Sequence, residues 1–220
     1  MQLINPPSEK LIPIIELAMQ LERLDRYMPA ANKNRELAFR YYLWNCKLCE
    51  SFHFPLHFSE IVCRNALHNA LIKRAGAEWY TNVVFRNILD AQFQQELASA
   101  EFKERAQHGD KVTSHHIVSA LTFGFWEHLT TKRFERFLWA KGIQNIFPCA
   151  PKEMTLLEIH DLIESVRRWR NRIAHHRAIF DKGPIRKYTD ALMLIKIACA
   201  DTSTWVSSSS EVQVALTLRP

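Results

Sequence analysis

The chain has 220 residues, of which 47% are hydrophobic, enough for a full core in one domain or in one domain with an appendage. Five glycines and nine prolines argue against a loop-rich or disordered chain. A formal net charge of +6 and a pI near 9.1 lean toward polyanionic partners, although many ordinary soluble proteins share that balance.

In chain order the dominant apolar period is helical. Residues 8–28 open at Ser8, contain an early Pro13, and then place apolar residues at three- and four-residue steps. Residues 32–52 form a second long helical segment, which Pro55 is expected to interrupt. A third runs over 57–76, with Ser59 as its N-cap and Gly76 as its stop. Asp90 starts a polar helix that ends at Gly109. Residues 113–142 hold one or two helices with a bend at Gly124, and Pro148 and Pro151 mark a loop. Thr155 and Glu158 make a capping box ahead of a long helix. Gly183 and Pro184 end that region and start the next helix. The fold class is all-α. Residues 1–200 read as one helical domain and 201–220 as a C-terminal tail, either a mobile extension or a short strand.

The N-terminus lacks the basic start and apolar core of a secretory leader, and the longest apolar runs fall short of the roughly 20 residues a bilayer requires. Five irregularly spaced cysteines fit a reducing compartment, so the expected location is cytoplasmic, with no membrane partner. Cys46 and Cys49 form a single Cys-x-x-Cys without the second pair a zinc site needs, and read as ordinary core or surface thiols.

The most charged stretch is Arg167 to Phe180, "RRWRNRIAHHRAIF". On a helix projected at about 100° per residue, Leu162, Val166, Trp169 and Ile173 share one face as a core stripe, with His176 at its edge. Arg170, Asn171 and His175 fan across the other side around the small Ala174. Asn171 and His175 are i,i+4 neighbours, so the amide is placed to orient the imidazole. Histidine gives or takes a proton near neutral pH, and arginine holds phosphate and stabilises added charge. If the substrate is RNA, its 2′-OH is the nucleophile and no metal or other cofactor is required. From Arg167 to Lys187, Arg167, Arg168, Arg170, Arg172, Arg177, Lys182, Arg186 and Lys187 face only Asp181. The pattern alone leaves three readings open: phosphate chemistry, a basic binding surface, and a structural helix with a solvated face.

This stretch resembles the signature of the HEPN superfamily, an all-α fold with many RNases: Arg, often followed by Asn, and a His a few residues on. Arg170, Asn171 and His175 fit with four intervening residues, and His176 fits with five. The likeness is closer to the Abi-like (abortive infection) branch. "YYLWNCKL" (Tyr41–Leu48), "FSEIVCRNALHNAL" (Phe58–Leu71) and "ALTFGFWEHL" (Ala120–Leu129) resemble that branch's Tyr-x-Trp-Asn, Glu-x-x-x-Arg-Asn and Phe-Gly-x-Trp stretches, in the family's order. The resemblance implies a HEPN-like helical bundle with additional helices, in a bacterial protein of phage defence or a toxin. It implies metal-independent RNA cleavage, to a 2′,3′-cyclic phosphate and a 5′-OH, in a composite site at a homodimer interface. On that pattern His175 is the acid/base, Arg170 holds the scissile phosphate, Asn171 orients His175, and His176 supports. Arg167, Arg168, Arg172 and Arg177 would bind substrate. An antitoxin or a regulatory RNA would be a further partner. The alternative is a non-catalytic RNA- or protein-binding HEPN module, and a weaker third reading is a structural partner in a larger complex.

Arg64, Asn65 and His68 echo the motif at too short a spacing. Arg64 and Asn65 read as buried polar contacts that fix helix packing, with intramolecular pairing of the two motifs as the competing reading. Phe123, Phe125 and Trp126 read as core, and Gly124 as a point of close helix approach.

Overall fold

A computed structural model describes residues 7–220; the N-terminal stretch read as lacking a leader begins in residues 1–6, outside the described residues. The described chain is all-α, without a strand. Short helices α1 (Ile12–Met19) and α2 (Leu21–Asp25) are separated at Gln20, whose φ of 66° breaks what the sequence suggests as one helix. Buried Glu16 receives Nη2 of Arg35 at 2.6 Å and Nε at 3.0 Å, which ties α1 to the start of the next helix.

That helix, α3 (Arg35–Ala75), runs unbroken for 41 residues, about 60 Å at 1.5 Å per residue. Asn34 caps it by accepting from the Leu37 N–H at 2.9 Å. The expected interruption at Pro55 is absent. Pro55 is buried inside the helix, and its neighbours Phe52 and Leu56 are core residues on both sides of it. A helix-interior proline costs about 3 kcal/mol; burial of both flanking turns offsets that cost. Ser51 and Ser59 each donate to the carbonyl three residues back, Leu48 and Leu56, at 2.9 Å. Ser59 is therefore a buried residue in mid-helix and not a cap.

Four shorter helices follow, α4 (Val83–Ile88), α5 (Ala91–His108), α6 (Ser114–Ala120) and α7 (Phe123–His128); α5 packs on α6, and α7 lies against α3 and α8. Asp90 and Gly109 bound α5 as the sequence suggests. The break between α6 and α7 falls at Leu121 and Thr122, which are extended, and not at Gly124; Thr122 caps α7. Phe123, Phe125 and Trp126 are buried, as expected for core. A Cβ on Gly124 would meet only ordinary contacts, 3.6 Å to Thr122 and 4.0 Å to Arg167, so close approach does not demand glycine there.

Thr155 and Glu158 form the capping box of α8 (Leu156–Ala174): the Thr155 N–H donates to Glu158 at 2.7 Å and the Glu158 N–H to Thr155 at 3.2 Å. The stripe Ile159, Ile163, Val166, Trp169 and Ile173 is buried, with the Trp169 ring 5.4 Å from that of Phe52 on α3. Gly183, in the left-handed region, and Pro184 start α9 (Pro184–Ala198). Helix α3 packs mainly on α9, and α8 lies against both.

The tail is helical, neither strand nor extension: α10 (Ala200–Ser209) and α11 (Val212–Thr217). Val206, Val212 and Ala215 are fully buried. The Trp44 indole N–H donates to the Ala215 carbonyl at 2.7 Å, fastening α11 to α3. The alternating pattern that suggested a strand is met by a short amphipathic helix on that surface. Among the described residues no helix is long and apolar enough to cross a membrane.

Candidate functional site

Helix α8 ends at Ala174, one residue before the first histidine. His175 is the C-cap and His176 takes φ 53°. The His176 N–H donates to the Ile173 carbonyl at 2.9 Å, and the Arg177 N–H reaches back to Arg172 at 3.0 Å. This is a Schellman closure with histidine in the left-handed position that glycine usually fills. Both histidines are exposed. His176 therefore does not sit at the edge of the core stripe, because the projection that put it there requires a helix that has already ended.

Arg170 is on the last turns of α8, with its side chain 44% exposed, and faces Glu60 on α3, Nε to Oε2 at 3.2 Å. Its Nη1 donates to the Asn171 amide oxygen at 3.1 Å. The Asn171 amide thus contacts Arg170, and Asn171 meets His175 through the backbone: its carbonyl accepts the His175 N–H at 2.9 Å. The structure places Arg170, Asn171 and His175 within one turn and a half of chain, with Arg170 and Asn171 in direct contact.

Of the flanking arginines, Arg167 is committed to a partly buried pair with Glu127 on α7, bonding both carboxylate oxygens. Arg172 Nε donates to the Ala178 carbonyl at 2.7 Å, which holds the turn after α8. Arg168 pairs with Glu164 at 2.8 Å in the open, and Arg177 is exposed. Arg168 and Arg177 are the two of this group most available to a polyanion.

Two depressions meet at Arg170. One, of about 280 Å³ between α3 and α8, is lined by His53, His57, Glu60 and Arg64 from α3 and by Arg170 and Ala174 from α8. The other, of about 380 Å³, lies toward α7 and includes Gly124, Glu127, Arg167 and Asn171. Glu60 and Arg64 fall in the Glu-x-x-x-Arg-Asn stretch, but His53, His57 and the way all four face Arg170 escaped the sequence reading. Their signal was present: 53, 57, 60, 61 and 64 follow the three- and four-residue steps of one helix face.

The echo motif does not assemble a second site. Arg64 reaches the α3–α8 cleft, but exposed Asn65 lines a different depression, so it makes no buried packing contact. His68 is buried, its ring 6.0 Å from Trp79 and 5.3 Å from His115, and burial lowers its pKa from 6.5 to about 4. Cys46 and Cys49 are half-buried thiols; burial pushes Cys49 up to about 12.

The loop that follows α8 is fixed from α3. Buried Asn45 accepts from the Ile179 N–H at 2.7 Å and the Phe180 N–H at 3.2 Å, and Phe180 stacks on Tyr27 at 5.1 Å. The Arg23 guanidinium donates to the His176 carbonyl at 3.2 Å. The exposed histidines thus stand on an anchored turn. No protein-family model, curated protein or solved structure matches the chain.

Proposed function

We propose that this protein is an endoribonuclease of the HEPN type, acting in bacterial abortive infection or as a toxin, whose active site is completed in a homodimer. The observation that carries this reading is the presence, at one end of α8, of a half-exposed Arg170 and, five residues on, an exposed His175 on an anchored turn. In the reaction the substrate's 2′-oxygen attacks its own 3′-phosphate and the 5′-oxygen leaves. The products are a 2′,3′-cyclic phosphate and a 5′-OH. One proton is removed from the 2′-OH and one is delivered to the leaving oxygen. His175 carries that proton traffic, and the second copy's α8 end, brought up by two-fold symmetry, supplies the complementary group. Arg170 stabilises the added charge on the phosphorus oxygens. Asn171, bonded to Arg170, orients the guanidinium. Arg168 and Arg177 bind the flanking backbone, and His176 supports the turn.

The test is cleavage of total bacterial RNA in the presence of EDTA by wild type and by His175→Ala, alongside the mass of the protein in solution. Cleavage by a dimer that His175→Ala abolishes supports the proposal. Equal cleavage by both proteins, or a monomer that cleaves, removes it.

A second reading has its own support. The Arg170–Glu60 pair and the absence of an Asn171 amide bond to His175 among the described residues fit a non-catalytic RNA- or protein-binding module. An RNA-binding module would bind in a salt-dependent way, with affinity retained in His175→Ala.

A further inference from the structure

The cleft between α3 and α8 joins Arg170 to residues that the chemistry at His175 does not use. Two guanidiniums, Arg64 and Arg170, and one carboxylate, Glu60, leave it with net positive charge, and His53 and His57 stand one helical turn apart on its rim. Nε of Arg64 is buried with no hydrogen-bond partner among the described residues. A buried donor without an acceptor is costly, and because Arg64 also lines the cleft, a phosphate that draws its guanidinium outward relieves that cost. Arg170 is held by Glu60 in a pair of which the arginine is 44% exposed. The Glu60 side chain is 17% exposed, so the pair is screened from the arginine side, and a phosphate, which accepts two hydrogen bonds from one guanidinium, competes for Arg170 from the open side. At about 280 Å³ the cleft lies just below the range of drug-sized ligand sites, roughly 300 to 1,000 Å³. It suits a phosphate with its adjoining sugar.

A chain of aromatic rings leads away from this cleft. The ring of cleft-lining His57 is 5.6 Å from Phe58, and Phe58 is 5.1 Å from Trp205 on α10. Phe54 closes the group at 5.1 Å from Phe58 and 5.7 Å from Trp205. Trp205 is 51% exposed. An exposed indole backed by two other rings offers a rigid stacking face for a base, and stacking requires that base to be unpaired.

We propose that the α3–α8 cleft is a subsite for single-stranded RNA. Arg64 and Arg170 grip one phosphate, Trp205 stacks a neighbouring base, and Glu60 holds Arg170 in position until the phosphate displaces it. This rests on the reading of the protein as one that acts on RNA, and it names the form of RNA taken.

The test uses the full chain and a short fluorescent single strand in which every 2′-hydroxyl is replaced by fluorine, so that it binds without being cleaved. Fluorescence anisotropy gives Kd for wild type, Trp205→Ala and Glu60→Gln. Trp205→Ala is expected to weaken binding by at least about fivefold, from the loss of one stacked base. Glu60→Gln is expected to tighten it by about two- to fivefold, the worth of the competing ion pair. Neither change empties the core, and circular dichroism confirms folding. Failure of wild type to bind, an unchanged Kd in either variant, or equal affinity for a duplex of the same sequence overturns the subsite. Because this strand cannot react, the result is independent of His175. Binding that behaves as expected while His175→Ala still cleaves natural RNA sinks only the catalytic assignment, and cleavage that needs His175 without the two Kd shifts sinks only the subsite.

Discussion

Arg170 on α8 and Glu60 on α3 face each other at 3.2 Å across 110 residues of chain. This pair joins the helix that ends in the exposed histidines to the longest helix of the fold. Solvent screens it through the guanidinium, 44% exposed against 17% for the carboxylate, which limits its contribution to stability to about 1 kcal/mol. Arg170→Ala is therefore expected to lower Tm by no more than about 2–4 °C, measured by thermal denaturation. RNA cleavage by the same variant is expected to fall by about a hundredfold or more, since the charge that develops on phosphorus loses its nearest cation.

Asn45 bears on function through the loop it fixes. Its one amide oxygen serves two backbone N–H groups, Ile179 and Phe180, in a buried setting. Asn45→Ala leaves both without an acceptor, at about 1–3 kcal/mol each. The expected loss, read from the midpoint of urea unfolding, is about 2–6 kcal/mol, and cleavage falls as well because the turn bearing His175 loses its anchor.

The two histidines separate by backbone conformation. His176 occupies a left-handed position that costs an L-residue about 1–2 kcal/mol, partly recovered by the entropy glycine would lose on folding. His176→Gly is expected to raise stability by up to about 1 kcal/mol and to leave cleavage intact. His176→Val, branched at Cβ, is expected to lower stability. Loss of cleavage in a stable His176→Gly would move the acid/base role from His175 to His176.

Burial of His68 predicts acid sensitivity. Its folded pKa of about 4 lies below the unfolded 6.5, so the unfolded chain binds the additional proton between those values. The contribution is complete above pH 6.5 and is lost as pH falls toward 4, to the extent of about 3 kcal/mol. His128, also lowered by burial, acts in the same direction. His68→Leu is expected to flatten the fall in stability between pH 6.5 and 4, leaving the part due to His128 and other groups; urea unfolding at several pH values measures it.

What the sequence made legible follows the range of the interactions. The Thr155–Glu158 box, the stop at Gly109 and the Gly183–Pro184 start are local devices and were readable. The continuity of α3 through Pro55 was not, because a local rule is overridden by burial of Phe52 and Leu56 against distant helices. The end of α8 was hidden because histidine fills the position where glycine would have announced it. The helical tail was hidden because its serines leave the pattern ambiguous, while Val206 and Ala215 find their partners on α3 and α9. At the site, Arg170, Asn171 and His175 could be named from one stretch; Glu60, 110 residues away, could be paired with Arg170 only once the fold was known.

Above all, His175 is proposed to serve RNA cleavage by the 2′-OH route. Its most direct test is single-turnover cleavage of an end-labelled RNA by wild type and His175→Ala in EDTA, with the product termini weighed by mass spectrometry. Wild type is expected to give 2′,3′-cyclic phosphate and 5′-OH ends, and His175→Ala to lose cleavage. Equal cleavage by the variant, or 3′-OH and 5′-phosphate ends from wild type, would contradict it.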